Sequence, residues 1–193
     1  MNIDIYYDLV CPYSFIGHDQ FIKALKILGF EDISLHYIPY PLDMKQYGEK
    51  TTKDALVKKL GGREEVVARN LKSLTERGKL YGLTLDFDQT KMVDTEICLY
   101  KINTLKNPYE LVSYLFQEYF ANGFDFSHDS LVDAFKKFGY DYDDIDVAEE
   151  VVKNETVHSV PTFCVNGTLF SGSNDVDGYI EIVKDIIIGS DHA

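Results

Sequence analysis

With 193 residues, 45% of them hydrophobic, the chain can bury a sizeable core as one domain or as a domain carrying a large insertion. Its formal net charge of −13 repels phosphate backbones and anionic lipid, which argues against nucleic acid and membrane surfaces as partners. No apolar run reaches the roughly 18 residues of a membrane-spanning helix, and the acidic start, Met1 to Asp8, lacks the basic region of a secretory signal.

Ile3 to Tyr7 reads as a first strand, and Phe15 to Leu28 has helical period, with Phe15, Ile22, Leu25 and Leu28 on one side and Gly29 placed as its stop. Between them lies Asp8-Leu-Val-Cys11-Pro12-Tyr13-Ser14, where strand hands over to helix. Pro12 suits the first helical position, because the N–H it lacks has no helical partner there. Cys11 is then the N-cap, beside the free N–H groups and the positive end of the helix dipole. The expectation is a thiol that ionises more readily than a free cysteine, with Ser14 donating a further bond to the thiolate. The plainer reading is a buried structural cysteine.

Ile33 to Ile38 reads as a second strand, ended by Pro39 and Pro41, so the first forty residues have the size of a parallel β-α-β crossover. The middle of the chain is then mostly helical. Helices are expected over Lys53–Leu60, Arg63–Leu80 and Asp94–Leu105. A fourth starts at Asn107-Pro108-Tyr109-Glu110 with Asn107 as cap, a fifth is capped by Ser127, and a sixth runs from about Asp143 to Lys153. Strand character returns at Val160. Thr162–Val165 and Thr168–Ser171 flank Asn166-Gly167, a two-residue hairpin turn. A final helix carries Val176, Tyr179, Ile180, Val183 and Ile187 at helical spacing.

The order is β-α-β, a block of helices, then β-β-α. That is the order of an α/β thioredoxin-like fold with a large all-helical insertion. The expected division is a thioredoxin-like core of residues 1–44 and 156–193 around a helical insertion of 45–155. The proline-flanked Cys11, followed much later by Val160-Pro161-Thr162-Phe163, resembles the cytoplasmic DsbA-like oxidoreductases. Tyr37 to Leu42 and Gly82 to Phe87 resemble further segments of that family, so the likeness covers nearly the whole chain. Its relatives include the kappa-class glutathione transferases and the hydroxychromene-carboxylate isomerases.

The resemblance implies thiol–disulfide exchange with Cys11 as nucleophile and Ser14 supporting the thiolate. Pro12, Tyr13, Val160, Pro161 and His158 would face the substrate. It also implies a cis peptide before Pro161. Ser14 stands where a dithiol enzyme has its second cysteine, so an attack by Cys11 would stop at a mixed disulfide unless an external thiol resolved it. That suits monothiol reductase or isomerase chemistry with glutathione as co-substrate and no permanently bound cofactor. A glutathione-dependent transferase or isomerase is the alternative, and a non-catalytic binding module is the second. The expected partner is a thiol or disulfide substrate, and a homodimer stays open.

Cys98, beside Ile97 and Leu99, reads as core, and Cys164 reads as another packed residue of the hairpin. Three widely spaced cysteines make no disulfide framework and suit the reducing cytoplasm. His18 reads as solvated helix surface. Asp141 to Asp146 lacks calcium-loop spacing, since Ile145 and the missing glycine break it, and no zinc spacing occurs.

Overall fold

The computed structural model describes residues 1–30, 33–42, 51–147 and 154–190. Strand β1 (Ile3–Tyr7) leads through helix α1 (Pro12–Ile27) to β2 (Leu35–Pro39), which pairs with β1 in parallel, Ile3 opposite Leu35. Five helices follow: α2 (Thr52–Lys59), α3 (Glu64–Leu80), α4 (Glu96–Thr104), α5 (Tyr109–Asn122) and α6 (His128–Lys137). The chain closes with β3 (Thr162–Val165), β4 (Thr168–Ser171) and α7 (Val176–Ser190). The strand order is β2-β1-β3-β4, with β3 antiparallel to both β1 and β4. Both ends of the chain thus share one sheet, a DsbA-like thioredoxin fold whose helical block is inserted between the halves. Asn166 and Gly167 have φ of 48° and 87°, the positive pair that a two-residue turn of this hairpin type requires.

Two helix expectations are corrected. Asn107 does not cap α5. Its φ is 58°, its side-chain oxygen accepts from the Leu35 N–H at 3.4 Å, and Pro108 takes the N-cap position. Asn tolerates the left-handed region and ties the turn to β2 instead. The helix expected from Asp143 does not start there: residues 142–145 form a turn, 146 and 147 are irregular, and 148–153 lie outside the described residues. The turn is held by Lys101, whose buried ammonium donates to the carbonyls of Tyr142 and Ile145, both at 2.7 Å.

The inner sheet face carries Ile3, Ile5, Tyr7, Leu35, Tyr37, Phe163 and Val165, all buried. Alternation puts Tyr6, Ile38, Cys164 and Leu169 on the other face, in a small cluster with Val157 and Val160. Helix α1 lies between two aromatic walls. On one side Phe21 meets Phe163 and Tyr179, with centroids 4.5 and 5.3 Å apart. On the other, Phe15 stacks on Phe116 and Phe120 of α5, both at 5.4 Å. Each such ring contributes roughly 1.5–3 kcal/mol by leaving water.

A helix walled on two sides has little solvated surface, which corrects the reading of His18. It is buried, and its Nε2 lies 2.7 Å from the Tyr37 hydroxyl. Burial drives its pKa from 6.5 down to about 3, so it is neutral in the fold.

The sign of the resulting pH dependence is fixed. The folded pKa lies below the unfolded one, so the stabilisation from neutral His18 is present above about pH 6.5 and fades as pH falls toward 3. His18→Gln keeps a hydrogen-bonding group for Tyr37 but cannot titrate. Urea melts should find the wild type more stable at pH 7.5 and the gap narrowing on acidification, by up to about 1.4 kcal/mol per pH unit. A gap independent of pH would contradict a buried neutral histidine.

Candidate active site

The end of β1 and the start of α1 build the site. Asp8 turns the chain, its carbonyl accepting from the Cys11 N–H at 3.1 Å. Cys11 is the N-cap of α1, extended at φ −88° and ψ 114°, with Pro12 at the first helical position. The Cys11 thiol is 5% exposed and donates to the Val160 carbonyl at 3.7 Å. The Val160–Pro161 peptide is cis. Pro161 sits against α1 at Gly17, where an added Cβ would lie 2.8 Å from Pro161 Cγ and 3.0 Å from the Tyr179 hydroxyl. Only a residue without a side chain lets the helix and the proline loop approach this closely. Behind the loop, Thr162 Oγ1 donates to the Ser159 carbonyl at 2.7 Å and the Gly172 N–H to the Pro161 carbonyl at 2.9 Å.

The expectation of an acidic thiol is corrected. Burial pushes the Cys11 pKa above the ordinary thiol value, and the nearby Asp8 carboxylate pushes the same way. The Ser14 hydroxyl and the N–H groups of Ser14 and Tyr13 pull it down without prevailing. A helix start stabilises a thiolate, but removing the sulfur from water works against it, and here the second effect is larger. Ser14 Oγ is itself buried, with no hydrogen-bond partner among the described residues while the thiol is neutral. Its lowering effect follows because its acceptor is the ionised sulfur.

The other expected positions divide. Pro12 and Tyr13 line a cavity next to Cys11, and Tyr13 is 46% exposed. His158 lies on the exposed loop two residues before Val160 and makes no hydrogen bond to Cys11. The three cysteines are free. Cys98 is buried in the core, its pKa driven far up by desolvation and then by Asp8. Cys164 is half-buried on the sheet face opposite α1. Among the described residues no group of three or more His, Cys, Asp or Glu could hold a metal ion, and no helix is long and apolar enough to cross a membrane.

The residue that sequence reasoning missed is Asp8, a fully buried carboxyl. Its oxygens accept from the Leu42 N–H at 2.5 Å, the Thr95 hydroxyl at 2.9 Å and the Val10 N–H at 3.2 Å. It thereby ties the active-site turn to the loop after β2 and to the start of α4. Burial raises its pKa from 3.8 to about 6, against the pull of those donors. The signal available was an acid at the buried end of a strand, three residues before a cysteine.

Asp8 and Ser14 should move the thiol in opposite directions. Asp8→Asn removes a negative charge, so the pH at which Cys11 is half-reactive toward iodoacetamide should fall. Fold stability should drop by about 1–3 kcal/mol, since the new amide turns a donor toward a donor. Ser14→Ala removes the thiolate's donor and should raise that pH. Rates read by peptide mass mapping check both. A common direction, or no movement, would contradict the electrostatic account.

Comparison with known proteins agrees with this architecture. The family model described as a DSBA-like thioredoxin domain matches residues 2–184. A probable DsbA oxidoreductase from Streptomyces coelicolor has a similar structure, with TM-score 0.76 and 18% identity over 96% of this chain and 89% of that one. A 2-hydroxychromene-2-carboxylate isomerase is similar over 100% of both chains, with TM-score 0.58 and 15% identity. No curated protein sequence matches. At these identities the two structures speak for the fold, and the family model places the sequence: the chain belongs to the DSBA-like thioredoxin domain family.

Proposed function

We propose that this protein is a monothiol oxidoreductase that exchanges disulfides through Cys11. The observation that carries the reading is a lone thiol, at a helix N-terminus and against the carbonyl before a cis-proline, with a serine where a resolving thiol would stand. The family and both similar structures support a thiol oxidoreductase or isomerase class.

The chemistry follows from the resting geometry. Neutral Cys11 is held by burial and by its bond to the Val160 carbonyl. An extended substrate that runs along the loop as an added strand takes that carbonyl for its own N–H and frees the thiol. The proton leaves to solvent, and Ser14 and the helix N–H groups receive the negative charge. The thiolate attacks one sulfur of the substrate disulfide. A Cys11 mixed disulfide forms, and the other sulfur departs as a thiolate. Cys98 is too buried and too weakly acidic to attack it, and Cys164 lies on the other sheet face. A second thiol, such as glutathione, attacks the mixed disulfide, takes the substrate sulfur and returns Cys11. No metal or bound cofactor is required, and a cytoplasmic location suits a free thiol of this kind.

One observation favours a second reading. An apolar cavity opens beside Cys11 against the helical insert, the kind of place where a second substrate sits in a glutathione-dependent transferase or isomerase. A binding module that has lost turnover is the third reading.

Turnover separates the three. Wild type should reduce a glutathione-mixed disulfide peptide faster than insulin, Ser14→Cys should reverse that preference, and Cys11→Ser should fall to background. Equal slow rates for wild type and Cys11→Ser would reject thiol exchange. Conjugation of glutathione to an electrophile in the same sample would then favour the transferase, and silence in both assays the binding module.

A further inference from the structure

The cavity beside Cys11 has a volume of about 220 Å³. Cys11 and Pro12 form part of its wall, Leu56 of α2, Leu60 at the end of α2 and Leu71 of α3 form another part, and Phe87 comes from the loop before α4. The same Cys11 thiol donates to the Val160 carbonyl. One residue therefore borders both the cavity and the loop along which an extended substrate would lie.

Strand geometry says which substrate side chain meets the cavity. Successive side chains of a strand point to opposite faces, and those two residues apart point the same way, about 7 Å along the chain. A cysteine turned toward Cys11 therefore brings with it the side chains two residues before and two residues after. Its immediate neighbours point away. Recognition by an added strand works in this manner: backbone bonds hold the segment and pockets read alternate side chains. An apolar cavity of roughly 150 Å³ holds one benzene ring, so this one has room for a single leucine, methionine or phenylalanine side chain. A second residue would have to bring its backbone amide into apolar surroundings without enough partners.

We propose that the cavity is a side-chain pocket for the substrate strand, taking one large apolar residue two positions from the reacting cysteine. The assignment rests on the thiol-exchange reading and names its substrate class: disulfides of extended peptide segments with an apolar residue in that frame. Glutathione has one residue on each side of its cysteine, so it reaches neither outer position and gains nothing from the pocket.

Short peptides activated as 2-pyridyl disulfides test it under single turnover. The Cys11 thiolate bonds to the peptide sulfur, the S–S bond breaks, and pyridine-2-thione leaves with the electron pair, while the thiol proton passes to solvent. Each peptide carries one leucine in a glycine background, one or two residues before or after the cysteine. Leucine at one of the two outer positions should speed thione release about tenfold over the all-glycine peptide, the lower end of what burying a leucine side chain is worth. Leucine at either adjacent position should change it by less than twofold. Leu60→Phe and Leu56→Phe, two separate changes at half-buried places on the wall, should each bring the ratio of leucine to glycine rates close to one. A gain equal at adjacent and outer positions, no gain at all, or a ratio unchanged in both variants overturns the proposal. Thione release no faster than that of Cys11→Ser with every peptide sinks the thiol-exchange reading instead. The pocket is then read without chemistry, by ligand-observed NMR of Cys11→Ser protein with the same peptides carrying serine for cysteine. Tighter binding of an outer-leucine peptide upholds the pocket, and equal binding of all the peptides overturns it.

Discussion

Two acids are held out of water three residues apart, the Asp8 carboxyl and the Cys11 thiol, where β1 runs into α1. Burial disfavours the charge of both, and the Asp8 carboxylate further disfavours that of Cys11. Neither can be ionised there without compensation from fixed donors. The donors to Asp8 come from the loop after β2 and the start of α4, and those to the thiolate from Ser14 and the first turn of α1. The fold supplies them by gathering the insert and the sheet around one junction. A thiol so placed is neutral at rest and gives its proton to the Val160 carbonyl, the contact that the proposed exchange would have a substrate replace.

The packing that buries the junction also aligns it. Because Phe21 and Phe15 seat α1 between the α7 side and α5, the helix start cannot drift from the sheet. Gly17 lets Pro161 come into contact with the same helix six residues beyond Cys11. The proline loop, the thiol and the cavity wall are thus fixed by contacts made by one helix. A methyl group at Gly17 would have to displace Pro161 or Tyr179.

Features encoded locally were legible in the sequence. Asn166-Gly167 specifies its turn through backbone freedom, Pro12 marks a helix start by geometry, and the β-α-β order follows from periodicity. What depends on long-range company was not. His18 has the look of a surface histidine until α5 and Tyr37 enclose it. Asp8 gains its meaning from Leu42 and Thr95, which lie 34 and 87 residues away. The N-cap position of Cys11 was readable, but the sign of its pKa shift was not, since desolvation depends on how deeply the rest of the chain covers the sulfur. Asn107 misled for a related reason: its side chain serves β2 rather than its own helix.

The central claim is that Cys11 acts alone and stops at a mixed disulfide. Intact mass and peptide mapping after incubation with oxidised glutathione test it most directly. The account predicts one glutathione, on Cys11, stable until reduced thiol is added and absent from Cys11→Ser. An internal disulfide between Cys11 and Cys98 or Cys164, or glutathione on another cysteine with Cys11 unmodified, would contradict it.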